Sequence, residues 1–304
     1  MDRYRVFVGA LILALCFSYA AAQSAAADSS LGLEMLSYVK GIEGKKGDER
    51  RTYIREQLGA IGVWSSAMPF DTTLLDGGKN KKYSGENILV NIGKGKPEIV
   101  VGAHLDAVFQ SPGANDNGSG VAVLLELIER LKSVAVKHRI VCCFFDLEEP
   151  GLIGSAVYVR RNRNAGIAEM INLDVEGTGS EIFAGPTGQP ADSLLLAALR
   201  ATRDSLGYAY YESADYPESD YLSFVNAHIS AISVSVVPAG DGRRLSKWVA
   251  DGFREPKNPQ DAPLVLRVMH TPGDKSDQVT GDALVKSFRF VAGMIARINA
   301  MLGR

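Results

Sequence analysis

Several short segments of the chain place a histidine or a carboxylate after an apolar run. His104 follows the run 99–103, and Asp116 comes twelve residues later among glycines that allow close backbone approach. Three later segments repeat the arrangement, ending in Glu148 and Glu149, in Asp174 and, after a longer connection, in His270. Imidazole and carboxylate ligands suit Zn²⁺, with Mn²⁺ or Co²⁺ as substitutes. Two histidines with several carboxylates favour a two-metal hydrolase.

Apolar runs alternate with amphipathic stretches, and this alternation predicts an α/β fold. The nearly continuous apolar character of residues 139–145 and 229–237 is typical of strands buried on both faces. Because ligands bind beyond the carboxyl ends of parallel strands, we expect the candidate ligands to converge there. We predict a single globular domain over residues 23–304, with a mixed, mostly parallel central sheet flanked by helices. Further strands are expected at 87–92, 98–103, 168–173 and 181–184, and helices within 31–62 and at 121–131, 155–163, 191–206 and 283–302.

Two segments interrupt the alternation. Residues 76–82, rich in glycine and lysine, are predicted to form an exposed loop between two strands. Residues 239–266 contain three prolines and are long for a plain connection. Since this second segment precedes His270, we interpret it as an active-site loop that walls or covers the site, with an inert surface excursion as the alternative.

The N-terminus has the pattern of a secretory signal peptide. Arg3 and Arg5 precede a mostly apolar stretch over residues 6–17, and an alanine triplet at 20–22 offers a cleavage site. We therefore expect residues 1–22 to be removed and the protein to be exported to the periplasm or the extracellular space, without membrane attachment after cleavage. The net charge of -2 and the pI of about 6.1 give no reason to expect a nucleic-acid partner.

Six motifs surround the candidate ligands in a fixed order. They are Gly102-Ala103-His104-Leu105-Asp106, Gly113-Ala114-Asn115-Asp116-Asn117-Gly118-Ser119-Gly120, Phe145-Asp146-Leu147-Glu148-Glu149, Gly151-Leu152-Ile153-Gly154-Ser155, Asn172-Leu173-Asp174 and His270-Thr271-Pro272-Gly273-Asp274. In this order they resemble the secreted di-zinc aminopeptidases, which include bacterial leucyl aminopeptidase and aminopeptidase Y. The resemblance runs from about Asn87 to the C-terminus. It implies the zinc exopeptidase (phosphorylase/hydrolase-like) fold and cleavage of N-terminal peptide bonds by a metal-activated bridging water.

The resemblance also implies a role for each matched residue. The ligands would be shared between two Zn²⁺ ions per chain, with His104 and Asp174 on one, Glu149 and His270 on the other, and Asp116 bridging both. Asp106 would orient His104, and Glu148 would be the catalytic general base. The peptide bond between Asp116 and Asn117 would be cis. The substrates would be peptides with a free N-terminus.

Two further residues are candidates for substrate binding. Tyr221 stands after Ser219-Asp220, where the family often has histidine, and its phenol could either hydrogen-bond a developing oxyanion or simply pack. Glu176 replaces an expected apolar residue just after Asp174, and it could either bind the substrate amine or cap a turn.

Two other functions are compatible with the same scaffold. A glutaminyl-peptide cyclase would use a single catalytic zinc, whereas His104 and Asp116 keep the two-metal pattern. A catalytically inactive binding domain would have lost ligands, and every ligand position of the motifs is filled in this sequence. We therefore predict a zinc-dependent metallo-aminopeptidase.

Overall fold

The computed structural model describes residues 26–76, 78–188 and 193–302 of the chain. The predicted leader, residues 1–22, lies outside these described residues. Within the described ranges, no helix combines the length and the apolar character needed to cross a membrane.

An eight-stranded mixed sheet forms the centre of the fold. The strands are β1 (Ser66–Asp76), β2 (Lys79–Ile92), β3 (Glu98–His104), β4 (Ile140–Phe145), β5 (Ile167–Leu173), β6 (Glu181–Gly185), β7 (Tyr210–Glu212) and β8 (Ser230–Val237). Their order across the sheet is β1-β2-β4-β3-β5-β8-β6-β7. Strands β4, β3, β5 and β8 pair in parallel, while β2 and β6 flank them with antiparallel pairing. The predicted mixed sheet with a parallel centre is confirmed.

Helices cover both faces of the sheet and produce three layers. They are α1 over residues 26–42, α2 (Asp48–Ile61), α3 (Gly120–Leu131), α4 (Ile153–Arg161), α5 (Ser193–Leu206), α6 (Tyr221–Val225), α7 (Asp241–Ala250) and α8 (Gly281–Met301). One apolar core joins the sheet to α1, α2, α3, α5 and α8, and a second core on the other face joins it to α4, α6 and α7. The neighbouring residues Cys142 and Cys143 belong to different cores, as the alternation of side chains along a strand requires.

The central strands owe their composition to this layering. Every residue of β3, β4 and β8 is buried. A strand covered on both faces loses water from all its side chains, so apolar residues are favoured at every position rather than at alternate ones. Burial of each large apolar side chain contributes about 1.5–3 kcal/mol to the stability of the fold. This burial holds the strands in place up to the ends at which the candidate ligands begin.

The segment 76–82 was predicted to be a loop, and this prediction is wrong for most of its length. Strands β1 and β2 form a hairpin whose last pair is Asp76 with Lys79, so Lys81 and Lys82 continue the strand opposite Leu74 and Thr73. Lysine-rich strand ends of a solvated hairpin have no apolar alternation, and composition therefore suggested a loop.

The segment 239–266 contains regular structure that its composition also concealed. Helix α7 begins after Gly240, which adopts a left-handed conformation with φ of 79°. The carboxylate of Asp241 then accepts the backbone N–H groups of Leu264 and Val265, each at 2.9 Å. These two hydrogen bonds hold the end of the segment against the start of α7. The segment is therefore not a plain loop: it consists of α7 followed by residues 251–266, here called the tethered return.

Candidate metal centre

The carboxyl ends of β4, β3 and β5 lie side by side and bring the candidate ligands together. His104 is the last residue of β3 and pairs with Phe145 at the end of β4. On the other side, Ala103 pairs with Leu173, so Asp174 emerges next to His104. Parallel pairing therefore places residues that are far apart in sequence at one edge, as the sequence predicted.

A sharp turn after β4 positions Glu148 and Glu149. Leu147 adopts a positive φ of 59°, which reverses the chain immediately after the strand. The carboxylate of Asp106 accepts the backbone N–H of Glu148 at 3.0 Å through Oδ1 and that of Glu149 at 3.1 Å through Oδ2. Oδ1 of Asp106 also lies 3.5 Å from Nδ1 of His104. Asp106 thus links the end of β3 to the turn after β4.

Asp116 connects two groups of candidate ligands through its two carboxylate oxygens. Oδ1 lies 3.1 Å from Nε2 of His104, which is itself 3.5 Å from Oδ1 of Asp174. Oδ2 lies 2.9 Å from Nε2 of His270, which is 3.1 Å from Oε2 of Glu149. Each group has three ligand atoms within 4.8 Å of one another, close enough to share one cation.

The donor set fits divalent cations. Oδ1 of Asp174 is buried without a hydrogen-bond partner although it faces Nε2 of His104. Hydrogen bonds with Asp116 and Glu149 raise the pKa of His270 to about 10. Burial raises the pKa of Asp116, but hydrogen bonds from His104 and His270 bring it below its usual value. A cation between these nitrogen and oxygen ligands would supply positive charge to this cluster of carboxylates.

A cavity lies over the two ligand groups, and Glu148 lines it but belongs to neither group. Burial raises the pKa of its carboxyl group well above the ordinary value; Asp220 and Asp174 act in the same direction, and His104 opposes them. A carboxyl group with a raised pKa that lies beside a metal centre without serving as a ligand is suited to exchanging protons near neutral pH.

Asp274 joins the second histidine segment to Asp116. Its carboxylate accepts the backbone N–H of Asn115 at 2.7 Å and that of Asp116 at 3.1 Å. The peptide bond between Asp116 and Asn117 is cis, as the resemblance implied. Asp274 appeared in the sequence only as the last residue of a motif, because its partners are backbone amides that leave no signature in composition.

The structure places both predicted substrate-binding residues away from the cavity wall. The hydroxyl of the buried Tyr221 donates to the carbonyl of Tyr216 at 3.3 Å, so the packing alternative describes this ring. Oε1 of the buried Glu176 accepts the backbone N–H of Asp174 at 3.0 Å, and burial raises the pKa of the Glu176 carboxyl well above its ordinary value. Glu176 therefore supports the turn that carries Asp174, and this contact favours the turn-capping alternative over binding of the substrate amine.

Tyr216 is a cavity residue that the sequence analysis missed. Its ring lines the cavity, and its hydroxyl lies 2.6 Å from Oγ of Ser235, another lining residue. Its ring stacks on Phe183 with centroids 4.4 Å apart. The residue stands three positions before Ser219, and only the fold shows that the wall is formed there rather than at Tyr221.

A cavity of about 310 Å³ opens over the two ligand groups. Its floor carries the ligands and Glu148, and one side is predominantly apolar. The segment 239–266 contributes to that side, although it does so through α7 and its tethered return. The apolar side comprises Phe183, Tyr216, Val237, Leu245, Trp248, Val265, Leu266 and Met269.

Residues 87–295 match the family model of Peptidase family M28, and the chain belongs to this family. An aminopeptidase of Pseudomonas aeruginosa (strain UCBPP-PA14) is 29% identical to the chain over 236 residues, which cover 69% of this chain and 43% of that protein. The chain thus matches less than half the length of this curated relative.

Solved structures support the fold. BSAP, a zinc aminopeptidase from Bacillus subtilis, superposes with a TM-score of 0.68 at 16% identity, over 87% of this chain and 94% of that chain. A glutaminyl cyclase from Porphyromonas gingivalis has a TM-score of 0.64 at 19% identity, over 90% of this chain and 97% of that chain. One fold therefore serves two chemistries, and the function of this chain must be argued from its own site.

Metal-stripped protein should unfold at a higher temperature when Zn²⁺ is added. A ligand that binds only the native state stabilises it by about 4 kcal/mol at 1,000 times its Kd. Asp116→Ala removes a donor from both ligand groups and should abolish the increase, whereas Asp215→Ala at an exposed position should retain it. Differential scanning fluorimetry measures the effect. The same increase in Asp116→Ala would contradict the assignment of the centre.

Proposed function

We propose that the protein is a zinc-dependent aminopeptidase that holds two Zn²⁺ ions per chain. The observation that carries this proposal is that the two carboxylate oxygens of Asp116 face different histidines. Oδ1 faces His104, and Oδ2 faces His270. A carboxylate used on both sides is the arrangement expected of a bridging ligand. The remaining ligand of each group, Asp174 or Glu149, completes a set of one imidazole and two carboxylates.

The chemistry follows from the residues around this centre. Bound zinc would polarise the scissile carbonyl and would lower the pKa of a water, so that hydroxide is available to attack at neutral pH. Glu148 would accept the proton of that water and deliver it to the departing amine. The Tyr216 hydroxyl donates its proton to Oγ of Ser235, which donates to the carbonyl of Asp174, so Tyr216 shapes the cavity wall and braces the segment that carries Asp174.

The charge of the cavity supports substrates with a free N-terminus. An N-terminal ammonium group carries a positive charge, and the cavity is also lined by the carboxylate of Glu218, which belongs to neither ligand group. A blocked N-terminus has no such charge. The apolar side, including Leu245 and Trp248, would receive the side chain of the first residue, which favours large apolar residues at that position.

Two alternatives use the same scaffold in other ways. A glutaminyl-peptide cyclase would need one zinc and would convert N-terminal glutamine, and an inactive binding domain would bind peptides without cleaving them. The presence of both ligand groups and of Glu148 supports hydrolysis. One zinc per chain together with cyclisation of glutaminyl peptides would contradict our proposal.

Glu148→Gln should lower kcat about 10²–10⁴-fold, because the amide cannot accept the proton from the attacking water. Zinc content should remain that of the wild type, since Glu148 is in neither ligand group. The measurement is steady-state hydrolysis of leucyl-anilide with metal analysis of the same samples. Glu43→Gln, on the turn after α1, serves as a control. Unchanged hydrolysis in Glu148→Gln would refute the assigned mechanism.

A panel of aminoacyl-anilides tests the substrate class. Leucyl-anilide should be cleaved with a kcat/KM roughly tenfold or more above that of alanyl-anilide, because each buried CH₂ contributes about 0.8 kcal/mol. N-acetyl-leucyl-anilide should resist cleavage. Trp248→Ala should reduce the preference for leucine while hydrolysis of the alanyl substrate stays close to that of the wild type. Equal rates on free and acetylated substrates would exclude an aminopeptidase.

We also propose that the protein is exported to the periplasm or the extracellular space. The support is the sequence pattern of residues 1–22, in which basic residues precede an apolar stretch and an alanine triplet. N-terminal sequencing of the protein recovered from outside the cytoplasm should begin at Gln23. Recovery only from the cytoplasm with the leader intact would contradict export.

A further inference from the structure

The guanidinium group of Arg50 on α2 is fully buried beneath the loop that connects β3 to Asp116. A guanidinium has five N–H bonds, and here its nitrogens make five hydrogen bonds, all to backbone carbonyl oxygens. Nε donates to Lys45 at 2.9 Å, Nη1 to Leu105 at 3.0 Å and Asp106 at 3.1 Å, and Nη2 to Pro112 at 3.1 Å and Gly113 at 2.7 Å. These five hydrogen bonds therefore use every nitrogen of the guanidinium, and none of the five partners is a carboxylate.

The positions of these carbonyls give Arg50 a particular effect. Two of them immediately follow His104, and two others shortly precede Asp116. The Arg50 guanidinium thus holds both ends of this loop. The imidazole ligand His104 precedes the loop, and the carboxylate ligand Asp116 follows it. The distance from Nε2 of His104 to Oδ1 of Asp116, 3.1 Å, depends on the two ends staying in register.

Lys46 holds the middle of the same loop. Its Nζ donates to the carbonyl of Val108 at 2.7 Å and also to the carbonyl of Ser111. The backbone N–H of Val108 in turn donates to Oε1 of Glu149 at 3.2 Å. The loop therefore touches a candidate ligand of the second group as well, and its position affects both groups.

Gly113 shows how closely the loop and the guanidinium fit. Its φ is +66°, and a Cβ placed there would lie 2.4 Å from Nη2 of Arg50. Glycine is needed at this position both for the left-handed backbone and for the approach of the charged group. Burial lowers the pKa of the Arg50 guanidinium, and the carboxylates of Asp106 and Asp116 act in the opposite direction.

We propose that Arg50, assisted by Lys46, is a positioning residue that fixes the His104–Asp116 geometry and thereby sets the metal affinity of the centre. The proposal rests on the metal centre of the proposed function and not on its peptidase activity. Residues that orient metal ligands without themselves binding the metal commonly contribute about 10–100-fold to metal affinity.

The test compares the zinc affinity of purified variants at a temperature at which all are folded. Metal-stripped protein competes with a chromogenic chelator for Zn²⁺, and the thermal midpoint of each metal-stripped variant is recorded separately. Arg50→Met removes the donors and the charge, and Arg50→Lys keeps the charge. Arg139→Met is the matched control, since Arg139 pairs with Glu98 at the opposite ends of β3 and β4.

Arg50→Met should bind Zn²⁺ about 10–100-fold more weakly than the wild type. Arg50→Lys should fall between them, because an ammonium on a flexible stem cannot reproduce the planar fork. Lys46→Met should weaken affinity less than Arg50→Met, and Arg139→Met should keep the wild-type value. A merely structural role would lower the thermal midpoint of Arg50→Met and leave its zinc affinity unchanged, which would overturn the proposal.

If Arg50→Met fails to fold, Arg50→Lys and Lys46→Met decide the question. Wild-type zinc affinity in both would overturn the proposal, and weakened affinity in both would support it. The result is separate from the proposed function, because no peptide is present in the binding assay. A wild-type protein that binds Zn²⁺ but cleaves no peptide would contradict the aminopeptidase assignment and leave this outcome intact.

Discussion

Repulsion among crowded, buried and half-buried carboxylates is the constraint on which the rest of the structure depends. Asp116, Glu148, Glu149 and Asp174 line one small cavity. Two unit charges 4 Å apart interact by about 1 kcal/mol in water and about 4 kcal/mol near a protein surface, so this arrangement needs positive charge between its members. Protons on the histidines or divalent cations supply that charge at the ligands, and the buried guanidinium of Arg50 supplies it from below.

A second set of acidic residues holds the segments that carry these ligands. Asp106 accepts the N–H groups at the turn after β4, Asp274 those at Asp116, and Glu176 that of Asp174. In each of these hydrogen bonds the donor is the backbone itself and not another side chain. The three carboxylate ligands are therefore fixed through their main chains, which leaves their side chains free to bind a cation.

The convergence of the candidate ligands is predictable from the sequence because each follows an apolar strand or lies in a recognisable motif. His104 and Asp174 could be placed together from parallel pairing alone. Arg50 and Tyr216 could not be placed in this way. Four of the five partners of Arg50 are backbone carbonyls 55 to 63 residues away, and the position of Tyr216 depends on how β6 and β8 meet. Helix α7 was missed for a different reason: the glycines and prolines of the segment 239–266 suggested a loop, although Leu245 and Trp248 have helical spacing.

The candidate metal ligands and the apolar side of the cavity, or apolar wall, come from largely separate parts of the chain. Most ligands lie at the ends of β3, β4 and β5, whereas much of the apolar wall lies between β8 and His270. His270 is the point at which the two parts meet, and its side chain is 45% exposed, against 2% for His104. The wall segment is fixed at its two ends by Asp241 and Asp274. Substitutions between those two anchors can reshape the wall while His270 keeps its place, so side-chain preference can vary without loss of the metal centre.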